Sequence, residues 1–368
     1  MSAPGPPPII DADGHVVEPT ETWSAIPNDL RCYVPTPVVE DDAFYFRSGD
    51  AESFRMQARP ESLASPRAPG ERSGAGNPAV GAADPKARLT DMDLDHIAQA
   101  VVFPTYGLMV QAVPDRTAQL ALCRAINDWV ADYCRAEPAR LFGMGVLPQT
   151  GPEDALAEAQ RCVEQLDLRG VWRRPERIDG TPALHDASYE PLWSYLAEAD
   201  RAFALHPGLN GLVPATELRA RFEDDYSTMH AVHFPMEQIM GLTDLIGFGV
   251  LDRHPTLRVA FLECGATWAL AQLHRLDEHL ELFGLPHTPK EKPSEQFRRQ
   301  GFVSVEEVEP GLEATLEAYP DSIVFASDYP HGDGVFPGST TELLETERLD
   351  AAQRDAVFFG NARRLYRL

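Results

Sequence analysis

Short apolar runs, rich in β-branched and aromatic residues, recur along the chain at 9–13, 98–104, 141–147, 168–172, 202–206, 258–263, 302–305 and 323–327. They are near-continuous rather than alternating, which suits parallel strands covered on both faces. Between them lie stretches with helical spacing. Residues 115–137 carry Leu120, Ile126, Val130 and Tyr133 on one side, and 153–166, 189–200 and 267–283 repeat the pattern. Strand and helix alternating eight times predict an α/β fold, a (β/α)8 TIM barrel, spanning 1–368 as one domain.

Two regions break this rhythm. Residues 27–90 should hold one helix, yet they are long and rich in Pro, Gly, Ser and Ala. They predict an irregular insertion between strands 1 and 2, serving as a lid or an oligomer contact, with 64–84 its most disorder-prone part. Residues 208–253 carry two helical patterns where one is needed. No long linker divides the chain.

Charge narrows the partners. The 368 residues hold 57 acidic against 32 basic side chains, a net charge of -25. That argues against nucleic acid and anionic membranes. A small anionic substrate stays open, because a metal and a few arginines reverse the field locally. The cysteines (Cys32, Cys123, Cys134, Cys162, Cys264) are odd in number and lack zinc-finger spacing, so reduced, inert thiols and a cytoplasmic location are expected. The N-terminal stretch lacks the basic and apolar segments of a signal peptide. No stretch reaches the ~20 apolar residues of a membrane span.

Candidate chemistry sits where the runs end. In Ile9-Ile10-Asp11-Ala12-Asp13-Gly14-His15, Asp13 and His15 are two apart and share one face of an extended strand. His206 ends the fifth run, Glu263 the sixth, and Asp328 follows the eighth. In a barrel these positions surround the C-terminal mouth, and strands 1 and 8 are neighbours. Two carboxylates and two imidazoles suit one divalent ion, zinc first and manganese or iron(II) as alternatives. Taken singly, Asp13 and Asp328 also read as helix caps, His15 as a loop residue and His206 as a strand end.

Glu263 could act as a general acid or base, ligate the ion, or be a structural carboxylate. Asp328 and His331, three apart, are catalytic candidates, His331 as an acid or a substrate contact. Arg173 and Arg174 could clamp a substrate carboxylate or form surface ion pairs. Trp268 and Tyr329 could form an aromatic wall. Glu18 could orient His15 or lie in a solvated turn. His230 and His233 read as core or interface residues, and His254 as structural.

The chain resembles the amidohydrolase-related group that includes aminocarboxymuconate semialdehyde decarboxylase and the hydroxybenzoate decarboxylases. The resemblance covers 9–368. It rests on Asp13-Gly14-His15-Val16-Val17-Glu18-Pro19, Arg88-Leu89-Thr90-Asp91-Met92-Asp93, Leu205-His206-Pro207-Gly208, Phe261-Leu262-Glu263-Cys264-Gly265-Ala266-Thr267-Trp268, Ser327-Asp328-Tyr329-Pro330-His331 and Gly360-Asn361-Ala362-Arg363-Arg364-Leu365-Tyr366. It implies a barrel with one divalent metal held by Asp13, His15, His206 and Asp328. Many relatives have histidine at the Asp13 position, and some decarboxylases have glutamate. The well-known decarboxylases also place a histidine and two glycines after strand 6, where this chain has Glu263-Cys264-Gly265. The expected function is non-oxidative decarboxylation of a small aromatic or enolic carboxylate. The alternatives are hydrolysis of an amide, ester or lactone (or a hydration) with Glu263 as base, and an inactive barrel that binds a partner. A homodimer or larger oligomer is implied, with 27–90 and 209–250 as candidate contacts.

Overall fold

Eight parallel strands form the barrel in chain order: β1 (Ile9–Val16), β2 (Ile97–Pro104), β3 (Leu141–Val146), β4 (Gly170–Arg173), β5 (Ala202–Leu205), β6 (Val259–Phe261), β7 (Gly301–Val305) and β8 (Ile323–Phe325). The structure, a computed structural model, describes residues 8–40, 43–53, 55–57, 80–178, 180–208, 215–223, 225–332 and 334–368. All residues of β1 and of β3 through β8 are buried, as expected for strands with side chains inside the barrel on one face and under helices on the other. The sheet closes through the segment after β8. Asp328 N donates to Asp13 O at 3.1 Å, and His15 N donates to Tyr329 O at 2.5 Å.

The expected helices form at Arg116–Cys134, Pro152–Glu164, Glu190–Glu198 and Thr267–Phe283. Asp115 caps the first through Ala118 N, and Pro152 starts the second, where no amide donor is needed. No helix among the described residues is long and apolar enough to cross a membrane.

The first insertion is more regular than the composition suggested. Thr36–Glu40 and Ala43–Ser48 pair antiparallel, with Ala51–Glu52 and Met56–Gln57 added to the second of them. Its Phe46 ring meets Tyr106, just past β2, at 5.4 Å, so the small sheet rests on the C-terminal end of the barrel. Most of 64–84 lies outside the described residues. Helix Pro85–Leu94 then completes the first strand-helix unit. The second insertion holds helices Ala215–Arg221 and Tyr226–Leu242, followed by the short Val250–Arg253.

Candidate metal centre

The strand ends bring the four expected ligands together. Asp13 and His15 project from β1, His206 follows β5 directly, and Asp328 lies just past β8. Gly14 between the first two is required, because a Cβ there would lie 2.5 Å from both Arg88 Nη2 and Asp11 Oδ2. His15 Nε2 and His206 Nε2 face each other at 3.1 Å. Asp13 Oδ1 and Asp328 Oδ1 lie 3.7 and 3.6 Å from His15 Nε2, and Asp13 Oδ2 lies 3.7 Å from His206 Nε2. All four side chains are buried.

The electrostatics fit a divalent cation. His206 Nδ1 lies 2.8 Å from the Pro207 carbonyl, which only accepts, so Nδ1 carries the hydrogen and Nε2 keeps its lone pair. Burial pushes His206 down to about 3, against the opposing pull of that bond, and drives His15 well below its usual range. Neutral imidazole is the ligating form. Burial, with Asp11 and Glu306 nearby, drives the Asp13 carboxyl well up, the behaviour of an acid in need of a positive neighbour. Its Oδ1 is buried with no hydrogen-bond partner. Two nitrogens and carboxylate oxygens suit zinc or manganese alike.

Two further candidates flank this set. His331 Nδ1 lies 2.7 Å from Asp328 Oδ1, its Nε2 lies 3.1 Å from Thr105 Oγ1, and its ring lies 4.0 Å from that of His15. Glu263 Oε2 lies 3.0 Å from His206 Nδ1. Glu263 and Asp328 both hold left-handed backbone angles (φ 63° and 50°), a conformation costly for residues other than glycine and concentrated at functional sites.

Behind Asp328, Ser327 donates from N and Oγ to the Asp11 carboxylate at 3.0 and 2.6 Å. Arg88 donates to Asp11 Oδ2 at 3.4 Å and to the His15 carbonyl at 3.2 Å. This buried network ties the two ligand-bearing strand ends together. Asp11, Arg88, Ser327 and Thr105 were missed as site residues, although all but Thr105 fall within the stretches quoted above.

Three of the four expected substrate contacts lie elsewhere. Tyr329 donates its hydroxyl to Asp91 at 2.5 Å and stacks over Arg88 at 4.0 Å, because its side chain is carried past β1 toward helix Pro85–Leu94. Arg173 follows Trp172, whose ring faces His206 inside the barrel, so the alternation sends Arg173 outward to the Tyr189 hydroxyl at 2.8 Å. Arg174 forms ion pairs, but buried ones: Nη2 reaches Glu237 at 2.5 Å and Glu176 at 3.2 Å with no exposure on any of the three side chains. Trp268 stays half-buried past β6, its Nε1 donating to Gly265 O at 2.9 Å. Glu18 accepts from Tyr106 N and Gly107 N at 3.0 and 3.2 Å, bracing the turn after β2 instead of orienting His15. His233, expected in the core or an interface, is in the core with charged company: Glu176 at 3.2 Å and Glu237 at 2.8 Å. The i,i+4 spacing of His233 and Glu237 was the available signal.

A family model described as amidohydrolase matches residues 10–368, and the chain belongs to that family. A curated gamma-resorcylate decarboxylase from a Polaromonas species is 25% identical over 295 residues, covering 77% of this chain and 87% of its own. An amidohydrolase from Mycobacterium avium subsp. paratuberculosis superposes with a TM-score of 0.78 at 20% identity, covering 98% of this chain and 99% of its own. A dihydroxybenzoic acid decarboxylase from Polaromonas, solved with manganese and 2-nitroresorcinol, gives a TM-score of 0.70 at 21% identity, over 98% and 97% of the two chains. These structural likenesses establish the barrel.

Proposed function

We infer that the chain is a divalent-metal-dependent, non-oxidative decarboxylase of a small aromatic carboxylate, using zinc or manganese. The observation that carries this reading is the convergence of Asp13, His15, His206 and Asp328 with His331 against the last of them. The decarboxylase names of its relatives support it, as does the manganese in the Polaromonas structure.

When bound, the ion supplies Lewis-acid attraction for the substrate carboxylate or an adjacent hydroxyl. The remaining work falls to side chains. His331, bridged to Asp328 and Thr105 and partly open to solvent, is the proposed donor of a proton to the ring carbon that bears the carboxylate. The bond from that carbon to the carboxylate then breaks. Its electron pair returns to the ring, and CO2 leaves. Phe103 and Trp172, whose rings both lie 5.7 Å from that of His206, supply aromatic surface beside the ion. Glu263 faces the far nitrogen of that imidazole at 3.0 Å, on the side turned away from the nitrogen offered to the ion.

The test is CO2 release from a panel of hydroxybenzoates and unsaturated keto-acids by the manganese-loaded chain, beside His331→Gln. CO2 formed in step with the arene is expected, with the variant retaining metal and losing about 10²–10⁴-fold in rate. One bound metal equivalent without CO2 across the panel, but with cleavage of amides, esters or lactones, would establish the hydrolase reading with Glu263 as base.

A further inference from the structure

The second insertion reaches into the metal centre without contributing a ligand. On helix Tyr226–Leu242, His233, Phe234, Glu237, Gln238 and Gly241 face inward and are buried. Gln238 Nε2 donates to two carbonyls at once: Leu205 O at 2.9 Å and Leu262 O at 2.8 Å. These carbonyls belong to the residues immediately before His206 and Glu263. Both strand ends are thereby joined to a single side chain. Gly241 allows the close approach, since a Cβ there would lie 2.5 Å from Leu205 Cδ1.

On the other side of His206 the same helix works through an intermediary. Glu237 Oε1 holds Arg174 Nη2 at 2.5 Å, and that nitrogen donates to Gly208 O at 3.1 Å. Gly208 is bare because a Cβ would sit 2.9 to 3.3 Å from Arg174 Nε, Cδ and Cζ. His233 joins Glu237 to Glu176, which also faces Arg174. Since the Arg174, Glu176, Glu237 and His233 side chains are all fully buried, no substrate reaches this guanidinium.

We propose that helix Tyr226–Leu242 is the positioning element of the metal centre, with Gln238 fixing residue 205 and the Glu237–Arg174 pair fixing residue 208 so that His206, held between them, presents Nε2 to the ion. Arg174, Glu237 and Gln238 are positioning residues. Rigid support of this kind is what a metal ligand needs, and loss of such partners typically costs 10–100-fold in metal affinity. The inference rests on the metal reading and adds to it a cause for the geometry of His206.

The experiment measures the manganese dissociation constant, from the free-ion EPR signal, and the visible absorption of the cobalt(II)-substituted full-length chain. It compares the unaltered protein with Gln238→Leu, Gly208→Ala and Arg174→Lys. Gln238→Leu keeps helix and volume but removes the two carbonyl bonds. Gly208→Ala pushes Arg174 from the other side, and Arg174→Lys keeps the charge and loses the fork. A 10–100-fold weaker manganese affinity and a shifted cobalt spectrum are expected in each. If the unaltered chain binds manganese and all the folded variants match it in both readouts, the helix merely packs and the proposal falls. An Arg174→Lys variant with unchanged manganese affinity and a raised KM would make Arg174 a substrate contact, which also overturns it. If the unaltered chain binds no manganese or cobalt, the metal reading fails first and takes this inference with it.

Discussion

Two buried groupings of imidazole and carboxylate lie at the same end of this barrel. One is Asp13, His15, His206 and Asp328; the other is Glu176, His233 and Glu237. Their residue types are alike and their fates differ. Arg174 lies within 3.2 Å of both carboxylates of the second grouping. With Arg174 and a protonated His233 the charges balance, and His233 is pushed up to about 9 by its bonds to Glu176 and Glu237 despite burial. In the first grouping burial holds both histidines neutral and drives the Asp13 carboxyl upward. A cluster of ligand-type side chains is therefore a metal site only where the protein has not supplied its own cation. On the proposed reading the two clusters divide the work: one takes the ion, and the other holds a strand end in place for it.

The comparison predicts opposite responses to losing a charge. The largest effect belongs to Arg174→Met, which strands two buried carboxylates and should cost about 3–5 kcal/mol in urea unfolding. An unchanged midpoint would mean the second cluster is not internally balanced. The counterpart, Asp13→Asn, should stabilise the metal-free chain by about 1 kcal/mol, because it removes a buried carboxylate with no donor to Oδ1. Added manganese should reverse the order, since ligand binding stabilises the unaltered chain more than the variant.

A third test is the pH dependence of the second cluster. A histidine with a raised folded pKa adds stability below its ordinary value of 6.5 that is lost as pH rises through about 9. Glu176, raised from 4.5 to about 7 by burial and by Glu237, runs in the same direction, disfavouring the folded state as it ionises. Urea midpoints measured with a chelator should therefore fall from pH 6.5 to pH 9, and fall less in His233→Gln. Equal slopes would place the titration elsewhere.

Much of this was written along the chain. All eight apolar runs became strands whose ends lie within three residues of those expected, the largest departure being β1, which continues to Val16 rather than stopping at 13. The convergence of the candidate ligands was legible because it depends on local rules: the two-residue repeat that aligns Asp13 with His15, and the place of a barrel's site at strand ends. The small antiparallel sheet was not, since its strands are short and partly exposed and carry no strong period. Tyr329 was misplaced for a related reason. Its direction follows from the hydrogen bond of His15 N to its own carbonyl, a contact between chain ends that no local pattern encodes.

Sequence alone thus determined the barrel, its order of elements and the residues able to ligate an ion, because periodicity and strand ends are properties of neighbouring residues. Only the tertiary structure decided which carboxylates would meet a cation. Arg174 and Glu237 are 63 residues apart, and Ser327 and Asp11 are 316 apart. Whether an arginine faces a substrate or is enclosed by two acids depends on how an inserted helix packs across three strand ends, and that packing is a sum over contacts distant in sequence.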